Sequence, residues 1–284
     1  KEVSEATAAM SASNPDDGFG NADLFYGGSV PKWKKFGNTL LLRMAMRISN
    51  VDAAKAGTYA TQAISGGVMT DNSDMARIKM ATGPSQWTNQ NGISRAFLNG
   101  DGGQPSPLAA TFVNWLKDNK DPRLMIYSGG VGGNTKDMTF AAQKGLPNGL
   151  DASTLQNFLG KAGANPMEEF SIINPKLLDI DDDYTFMNYS EAEFLLAEAV
   201  ARGVSVTGSV DAHYTTAITA SMEDWGVAST DIATYLANPD VVYATATGTW
   251  QQKIGNQAWY AMFNRGFEGW TFTRRLNFPV LIAP

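Results

Sequence analysis

Apolar side chains recur at three- and four-residue spacing in several stretches, and this periodicity constrains the fold more than any other feature of the chain. The clearest stretch starts near Pro31, and Asp52 then follows as the N-cap of a second helix that ends near Gly67. One face of the first helix is apolar and comprises Trp33, Phe36, Gly37, Leu40, Leu41, Met44, Ala45 and Ile48. Further helices are predicted over 4–10, 106–117, 190–202, 209–225, 229–236, 249–264 and 268–275. The chain is therefore predicted to be mostly α-helical.

Small and aromatic residues recur within these helices at a spacing typical of tetratricopeptide repeats. The residues at this spacing are Phe194, Ala197, Ala201, Val210, Tyr214 and Ala217, with Ala56, Ala60 and Ala63 in an earlier helix. The pattern predicts tetratricopeptide-like helical hairpins. The stretches 66–104 and 120–188 are rich in turn-forming residues and predict long irregular loop insertions, with short strands at 124–127 and 170–173.

Composition excludes several classes of function. The formal net charge is -6 without runs of one sign, which disfavours a nucleic-acid partner because phosphate binding needs clustered Lys and Arg. The chain has 0 Cys, so it has no disulfide framework and no thiol nucleophile.

The first ten residues have neither the basic nor the apolar region of an export signal. We expect the chain to begin inside a longer protein.

No catalytic or metal-binding pattern is found in the sequence. The one histidine, His213, has no acid at a triad-like spacing and is interpreted as a helix-surface residue. The acidic run Asp179–Asp183 lacks the glycine and glutamate of a calcium loop and is interpreted as a solvated turn. The glycine-rich run Gly129–Thr135 lacks the Lys-Ser/Thr pair that binds phosphate. The sequence therefore predicts no enzyme, metal or cofactor.

Two arginines and two glutamates are predicted to form structural ion pairs. Arg43 and Arg47 are one helical turn apart and repel each other, and Glu193 and Glu198 lie on an otherwise apolar helix. Because an unpaired buried charge is costly, one or both arginines should pair with Glu193 or Glu198 and link two hairpins. A binding or catalytic role for these carboxylates is the alternative.

Six residues near the end of the chain are also interpreted as structural. Helix packing is the predicted role of Glu268, Arg274 and Arg275. Core positions are predicted for Trp250, Trp259 and Trp270, which lie at helical spacing.

One loop segment has a composition suited to ligand binding. Trp87 offers an apolar face on which a sugar ring could stack, and amide and guanidinium groups suit hydroxyl recognition. The polar candidates are Asn89, Gln90, Asn91 and Arg95. Ordinary loop composition is the alternative interpretation of this segment.

Three blocks of sequence, in order along the chain, resemble the SusD/RagB family. The first runs from Asp23 through Trp33-Lys-Lys-Phe-Gly-Asn-Thr-Leu-Leu-Leu-Arg43 to Ile48. The second is Met187-Asn-Tyr-Ser-Glu-Ala-Glu-Phe-Leu-Leu-Ala-Glu198 with Gly203 behind it, and the third contains Trp250-Gln-Gln-Lys253, Glu268-Gly-Trp270 and Arg274-Arg275. Leu276 stands where the family has Thr, which leaves the details of the last helix open.

The resemblance implies a single SusD-like domain over 1–284. It also implies a nutrient-binding protein that is not an enzyme. Such proteins lie on the outer face of the outer membrane through a lipid anchor and capture oligosaccharides, or in some members peptides, for a SusC-like TonB-dependent transporter. From the resemblance we expect these residues to lack the lipid anchor and the N-terminal part that family members have, and also the C-terminal tail. Two other functions stay open: a structural or adaptor helical-repeat module without a nutrient ligand and, ranked behind it, a glycan hydrolase.

Overall fold

A computed structural model describes residues 1–10, 20–83, 89–97, 106–132, 136–150, 152–160 and 166–281. The helices in this part of the chain are α1 (Glu2–Ala9), α2 (Val30–Arg47), α3 (Ala53–Gly66), α4 (Gly92–Arg95), α5 (Ala110–Asp118), α6 (Leu124–Tyr127), α7 (Ala152–Leu159), α8 (Tyr189–Ala201), α9 (Val210–Asp224), α10 (Ser229–Leu236), α11 (Trp250–Ala261) and α12 (Gly266–Leu276). The strands are β1 (Ala76–Ile78), β2 (Ser128–Val131), β3 (Ser171–Ile173) and β4 (Tyr184–Met187). The predicted mostly α-helical fold is confirmed.

The chain divides into two compact units, of which unit 1 comprises Lys1–Lys79, Asp183–Gly226 and Val242–Val280. The remainder, Met80–Asp182, Val227–Val241 and Leu281–Pro284, is unit 2. The single domain over 1–284 stays a prediction, since compact units of this kind occur both inside one domain and as separate domains.

Unit 1 is built from helical hairpins, as the repeat pattern predicts. Helix α2 packs on α3, α8 on α9 and α11 on α12, while α8 also contacts α2 and α11. The alanines of the early repeat, Ala56, Ala60 and Ala63, are buried in α3, and Tyr214 and Ala217 are buried in α9. The alanines at these positions are small enough for two helices to pack closely.

Helix α8 is the centre of unit 1, because every residue from Ser190 to Ala199 is buried. A helix that is covered on all sides shows little amphipathic pattern and needs partners for each polar side chain. Its N-cap is Asn188, whose side chain accepts from the Glu191 backbone N–H. The Ser190 hydroxyl donates to the Ala217 carbonyl of α9 at 2.8 Å and so links the two helices of the α8–α9 hairpin.

Strands β1 and β4 of unit 1 form an antiparallel pair in the register Ala76↔Met187. Ala76 and Met187 are buried against Met69 and Ala192, so the pair covers the start of α8. This pairing brings the end of the first stretch of unit 1 onto the start of its second stretch.

Unit 2 contains the antiparallel pair β2 and β3, in the register Ser128↔Ile173. Gln143 Oε1 accepts hydrogen bonds from Ser128 Oγ and, at 2.8 Å, from Ser171 Oγ, which ties both strands to a buried amide. Asp121 and Arg123 form an ion pair of 2.5 Å in which neither side chain is exposed.

The strand predicted at 124–127 is wrong, because Leu124–Tyr127 forms the short helix α6. Asp121 accepts from the Arg123 backbone N–H, and its carbonyl accepts from Leu124, which starts a helical turn at Pro122. A short apolar run fits a buried helix as well as a strand, so periodicity alone could not separate them. Strand β2 begins one residue later, and the strand predicted at 170–173 is present as β3.

The buried carboxylate Glu191 of α8 binds two arginines. Arg43 of α2 donates from Nε to Glu191 Oε1 at 2.5 Å and from Nη2 to Oε2 at 2.7 Å. Arg265, which precedes α12, donates to Oε2 at 2.5 Å. Burial by itself would raise the pKa of Glu191, but the charges of Arg43 and Arg265 outweigh burial and lower this pKa to about 2.

The predicted partners of the two arginines are wrong, although both arginines do form ion pairs. Arg43 pairs with Glu191, and Arg47 pairs with Glu268 of α12 at 2.7 Å instead of with Glu193 or Glu198. Residues 191 and 198 are two helical turns apart, so Arg43 reaches the N-terminal carboxylate of α8 and α12 covers the other. Glu268 thereby has the predicted helix-packing role.

Glu198 also lies buried and accepts from residues at two helix ends. Arg275 of α12 donates from Nε to both carboxylate oxygens at 2.9 Å, and Arg202 at the end of α8 donates to Oε1 at 2.9 Å. Arg275 therefore packs inside unit 1 as predicted, whereas Arg274 is exposed.

Glu193 binds the one histidine across the α8–α9 hairpin. His213 Nδ1 lies 2.7 Å from Glu193 Oε2, and Nε2 lies 2.9 Å from the Thr207 carbonyl oxygen. Both neighbours offer acceptor oxygens, so this arrangement favours the cationic imidazole, which donates from both nitrogens. The hydrogen bond that His213 donates to Glu193 raises the pKa of His213 above its usual value. The sequence missed this acid because it lies on another helix.

The tryptophans predicted as core residues differ in their burial. Trp270 is 60% exposed on α12, so its prediction as a core residue is wrong. Trp250 and Trp259 are half-buried, with Trp250 5.3 Å from the Arg202 guanidinium. A position at helical spacing can face either side of a helix, and the side that faces outward is chosen by tertiary packing.

Glu191→Gln should destabilise unit 1 by about 3–5 kcal/mol, because Arg43 and Arg265 lose the carboxylate that they share. Urea unfolding followed by circular dichroism at pH 7 measures this. Glu223→Gln, the same change at an exposed position of α9, is the control and should shift the free energy of unfolding by less than about 0.5 kcal/mol.

The destabilisation caused by Glu191→Gln should also depend on pH, and the lowered pKa of Glu191 fixes the sign of this dependence. A carboxyl with a lowered folded pKa stabilises above its unfolded value of 4.5 and loses this contribution as pH falls towards 2. The difference between wild type and Glu191→Gln should therefore shrink below pH 4.5. A difference that stayed constant down to pH 2 would contradict the buried ion pair.

An NMR titration of the only histidine should give a pKa above 6.5 for His213. A raised folded pKa means that the pair with Glu193 stabilises fully below pH 6.5 and less as pH rises through the folded value. Glu193→Gln removes the anion and should return the pKa towards 6.5 or below it. A wild-type pKa at or below 6.5 would show that the pair is not formed.

Candidate ligand-binding site

The segment with ligand-binding composition belongs to unit 2, and hydrogen bonds join its residues 89 and 90 to residues 81 and 82. The Ala81 N–H donates to the Asn89 carbonyl at 2.7 Å, and Gln90 Nε2 donates to the Thr82 carbonyl at 2.7 Å. These bonds hold the chain together on both sides of 83–88. Trp87, the aromatic candidate, lies outside the described residues.

Asn91 anchors this segment to another part of unit 2. Its backbone N–H donates to the Ile180 carbonyl at 2.7 Å, and Nδ2 donates to the Asp182 carbonyl at 3.0 Å. Its Oδ1 accepts from the backbone of Ile93 and Ser94 and caps α4. Asn91 is 6% exposed, so of the four described candidates it has the least room to touch a ligand.

The other described candidates lie nearer the surface. Asn89 is exposed and has a φ of 63°, a left-handed conformation that asparagine tolerates better than most residues. Gln90 Oε1 accepts from Arg95 Nη1 at 2.8 Å, and both side chains are half-buried. The structure thus brings an exposed amide and a paired amide and guanidinium to one anchored segment.

This arrangement suits reversible recognition of a polar ligand. Amides and a guanidinium offer donors and acceptors for hydroxyl or amide groups, and a backbone closed at its base costs less entropy to order on binding. The partners that fix the segment, at Ala81, Thr82, Ile180 and Asp182, were not predicted from the sequence. Backbone carbonyls carry no sequence signal, and Asp182 lies 91 residues from Asn91.

Acid–base chemistry is not indicated at the histidine, because both ring nitrogens of His213 already face acceptors. Across the described ranges, no group of three or more His, Cys, Asp or Glu side chains could hold a metal ion. Within those same ranges, no helix is both long enough and apolar enough to cross a membrane.

Comparison with known proteins shows one family over the whole chain. Residues 1–284 match the SusD-like family that is described as starch-binding and associating with the outer membrane. A solved chitin-binding protein is 28% identical with a TM-score of 0.79, over 99% of this chain and 59% of its own. A chitin-binding SusD homologue from Flavobacterium johnsoniae is 27% identical with a TM-score of 0.74, over 99% of this chain and 58% of its own.

A SusD homologue from Bacteroides uniformis is 25% identical with a TM-score of 0.78 and is likewise matched over 59% of its length. The chain therefore spans about three fifths of the solved relatives that it matches. No curated protein sequence matches it. The match over all 284 residues and the shared helical fold together show that this chain belongs to the SusD-like family of outer-membrane-associated carbohydrate-binding proteins.

Proposed function

We propose that this chain is the C-terminal part of a cell-surface protein that captures oligosaccharides for import through a SusC-like TonB-dependent transporter. The observation that carries the proposal is the family match over residues 1–284 together with two chitin-binding relatives at 28% and 27% identity. Import needs reversible capture without bond chemistry, which agrees with a site built from amides and a guanidinium. A lipid anchor on a preceding part of the protein would hold it to the outer membrane.

The proposed ligand site is the anchored segment of unit 2. Trp87 stacks on a sugar ring, while Asn89, Gln90 and Arg95 bind hydroxyl or acetamido groups, and Asn91 holds the segment in place. The hydrogen bonds at Ala81, Thr82 and Asp182 support this division of roles, because they fix the backbone on both sides of Trp87. Chito-oligosaccharides are the first ligands to test because two relatives bind chitin.

Trp87→Ala should weaken binding of a chito-oligosaccharide by about tenfold or more, because an aromatic anchor at the centre of a site contributes about 2 kcal/mol. Isothermal titration calorimetry of this chain and of its full-length parent measures the change. Trp270→Ala is the matched control, since it removes an exposed indole from α12 of unit 1 and should leave affinity unchanged.

The outcomes separate the proposal from its rivals. Starch fragments and short peptides, titrated in parallel, identify the ligand class. Binding by the parent alone would place the ligand site outside these residues and contradict the proposed segment. No binding by either protein would favour an adaptor module, and shortened oligosaccharide in the recovered sample would favour a hydrolase.

The transporter partnership has its own test. The full-length protein, purified from native outer membranes in mild detergent, should co-purify with a TonB-dependent transporter encoded in the same organism. Recovery of the protein alone under conditions that preserve other outer-membrane complexes would contradict the partnership.

A further inference from the structure

Unit 1 contains a cleft that no part of the proposed import function uses. Its volume is about 290 Å³, and it lies where the ends of several helices meet. The polar residues that line it are Asn50, Arg202, Thr249, Gln251, Arg275 and Asn277. The volume is near the lower end of the range of about 300–1,000 Å³ for small-molecule sites, which suits one sugar ring better than a chain of them.

The charges around this cleft do not cancel. Two arginines line it, and none of the residues that line it is acidic. Both arginines donate to the same carboxylate. Glu198 accepts from Arg202 Nε and from Arg275 Nε. Arg275, Arg202 and Glu198 together leave one positive charge in excess, at side chains that are at most 19% exposed.

Arg275, which lines the cleft, has one guanidinium nitrogen without an acceptor. Arg275 Nη2 is buried and makes no hydrogen bond within the described part of the chain. The Phe272 ring lies 4.6 Å from the guanidinium carbon and attracts its charge, but a ring face is a weaker acceptor than an oxygen. Buried polar groups are nearly always hydrogen-bonded, so an unpaired guanidinium N–H beside a cleft indicates a missing acceptor.

The start of α11 adds to the same preference for an anion. Thr249 Oγ1 accepts from the Gln252 N–H, which leaves the first N–H groups of this 12-residue helix, at Trp250 and Gln251, outside the helical ladder. Free N–H groups and the helix dipole favour negative charge there. The arginines at the ends of α8 and α12 offset the opposite dipoles of those helices, but this role does not use Arg275 Nη2.

We propose that this cleft binds a monoanionic sugar, a hexuronic acid unit, with its carboxylate at Arg275 and Arg202. One excess positive charge matches the single negative charge of a carboxylate. The parallel N–H groups of a guanidinium also match the two oxygens of a carboxylate. The neutral side chains Asn50, Gln251 and Asn277 bind hydroxyl groups. Asn50 is held in place because its Nδ2 donates to the Arg275 carbonyl at 2.9 Å. This second site lies in unit 1 and does not rest on the proposed segment of unit 2.

Titration calorimetry of this chain at low ionic strength with glucuronate, glucose and acetate tests the proposal. Glucuronate should bind at least about tenfold more tightly than glucose, which lacks the charge, and than acetate, which lacks the hydroxyl groups. Added salt should weaken glucuronate binding. Equal affinity for glucuronate and glucose, equal affinity for glucuronate and acetate, or no binding would each overturn it.

Gln251→Glu is the sharpest variant because it adds one negative charge without changing the shape of the side chain. A carboxylate in the first turn of α11 favours the helix, so the variant should fold at least as well as wild type while its glucuronate affinity falls about tenfold or more. Gln62→Glu is the matched control at an exposed position of α3 and should change affinity less than about twofold.

Asn277→Asp provides an independent second variant. Asn277 is exposed with a φ of 62°, which aspartate also tolerates, and it lines the cleft. It should lose glucuronate binding as Gln251→Glu does. Unchanged affinity in both variants would refute the site even if glucuronate binds elsewhere. Both variants should keep chito-oligosaccharide binding, and Trp87→Ala should keep glucuronate binding, so either proposal can fail alone.

Discussion

A helix that is buried on every side and yet carries three carboxylates is the constraint on which the rest of unit 1 depends. Glu191, Glu193 and Glu198 of α8 are buried, so each needs a cationic partner from another segment. Arg43 comes from α2, His213 from α9 and Arg275 from α12. The three hairpins of unit 1 are thus fixed around α8 by charge as well as by apolar packing.

These ion pairs contribute more to the choice of arrangement than to net stability. Two buried charges cost several kcal/mol to desolvate, and their attraction recovers about as much, so apolar replacements could be equally stable. A wrong arrangement of the hairpins, however, would leave Glu191 or Glu198 buried without a partner. Such a state is penalised far more strongly than a loss of apolar contact, which selects one arrangement of α2, α9 and α12 around α8.

The sequence predicted which elements exist better than it predicted what they touch. Helix boundaries at Asp52, Ser209 and Gly67 follow from local capping chemistry, and the structure has them. Partner choice is not local, so the arginines of α2 were paired with the wrong glutamates, and Glu193 was not connected to His213. At the candidate site the residue types were visible, but the carbonyls that hold Asn91 and Gln90 are contributed by backbone and leave no trace in the sequence.

The two buried arginine clusters of unit 1 show why one can be purely structural and the other not. Around Glu191, Arg43 and Arg265 each donate a further N–H to the Phe186 carbonyl, and Arg43 Nη1 lies 3.6 Å from Glu268, so this cluster finds its acceptors within unit 1. Around Glu198, Arg202 and Arg275 share one carboxylate at side chains that are 19% and 5% exposed, and Arg275 Nη2 makes no hydrogen bond within the described part of the chain. A sheltered surplus charge with an unpaired N–H stabilises nothing by itself, which is why an external anion is the acceptor that completes this cluster.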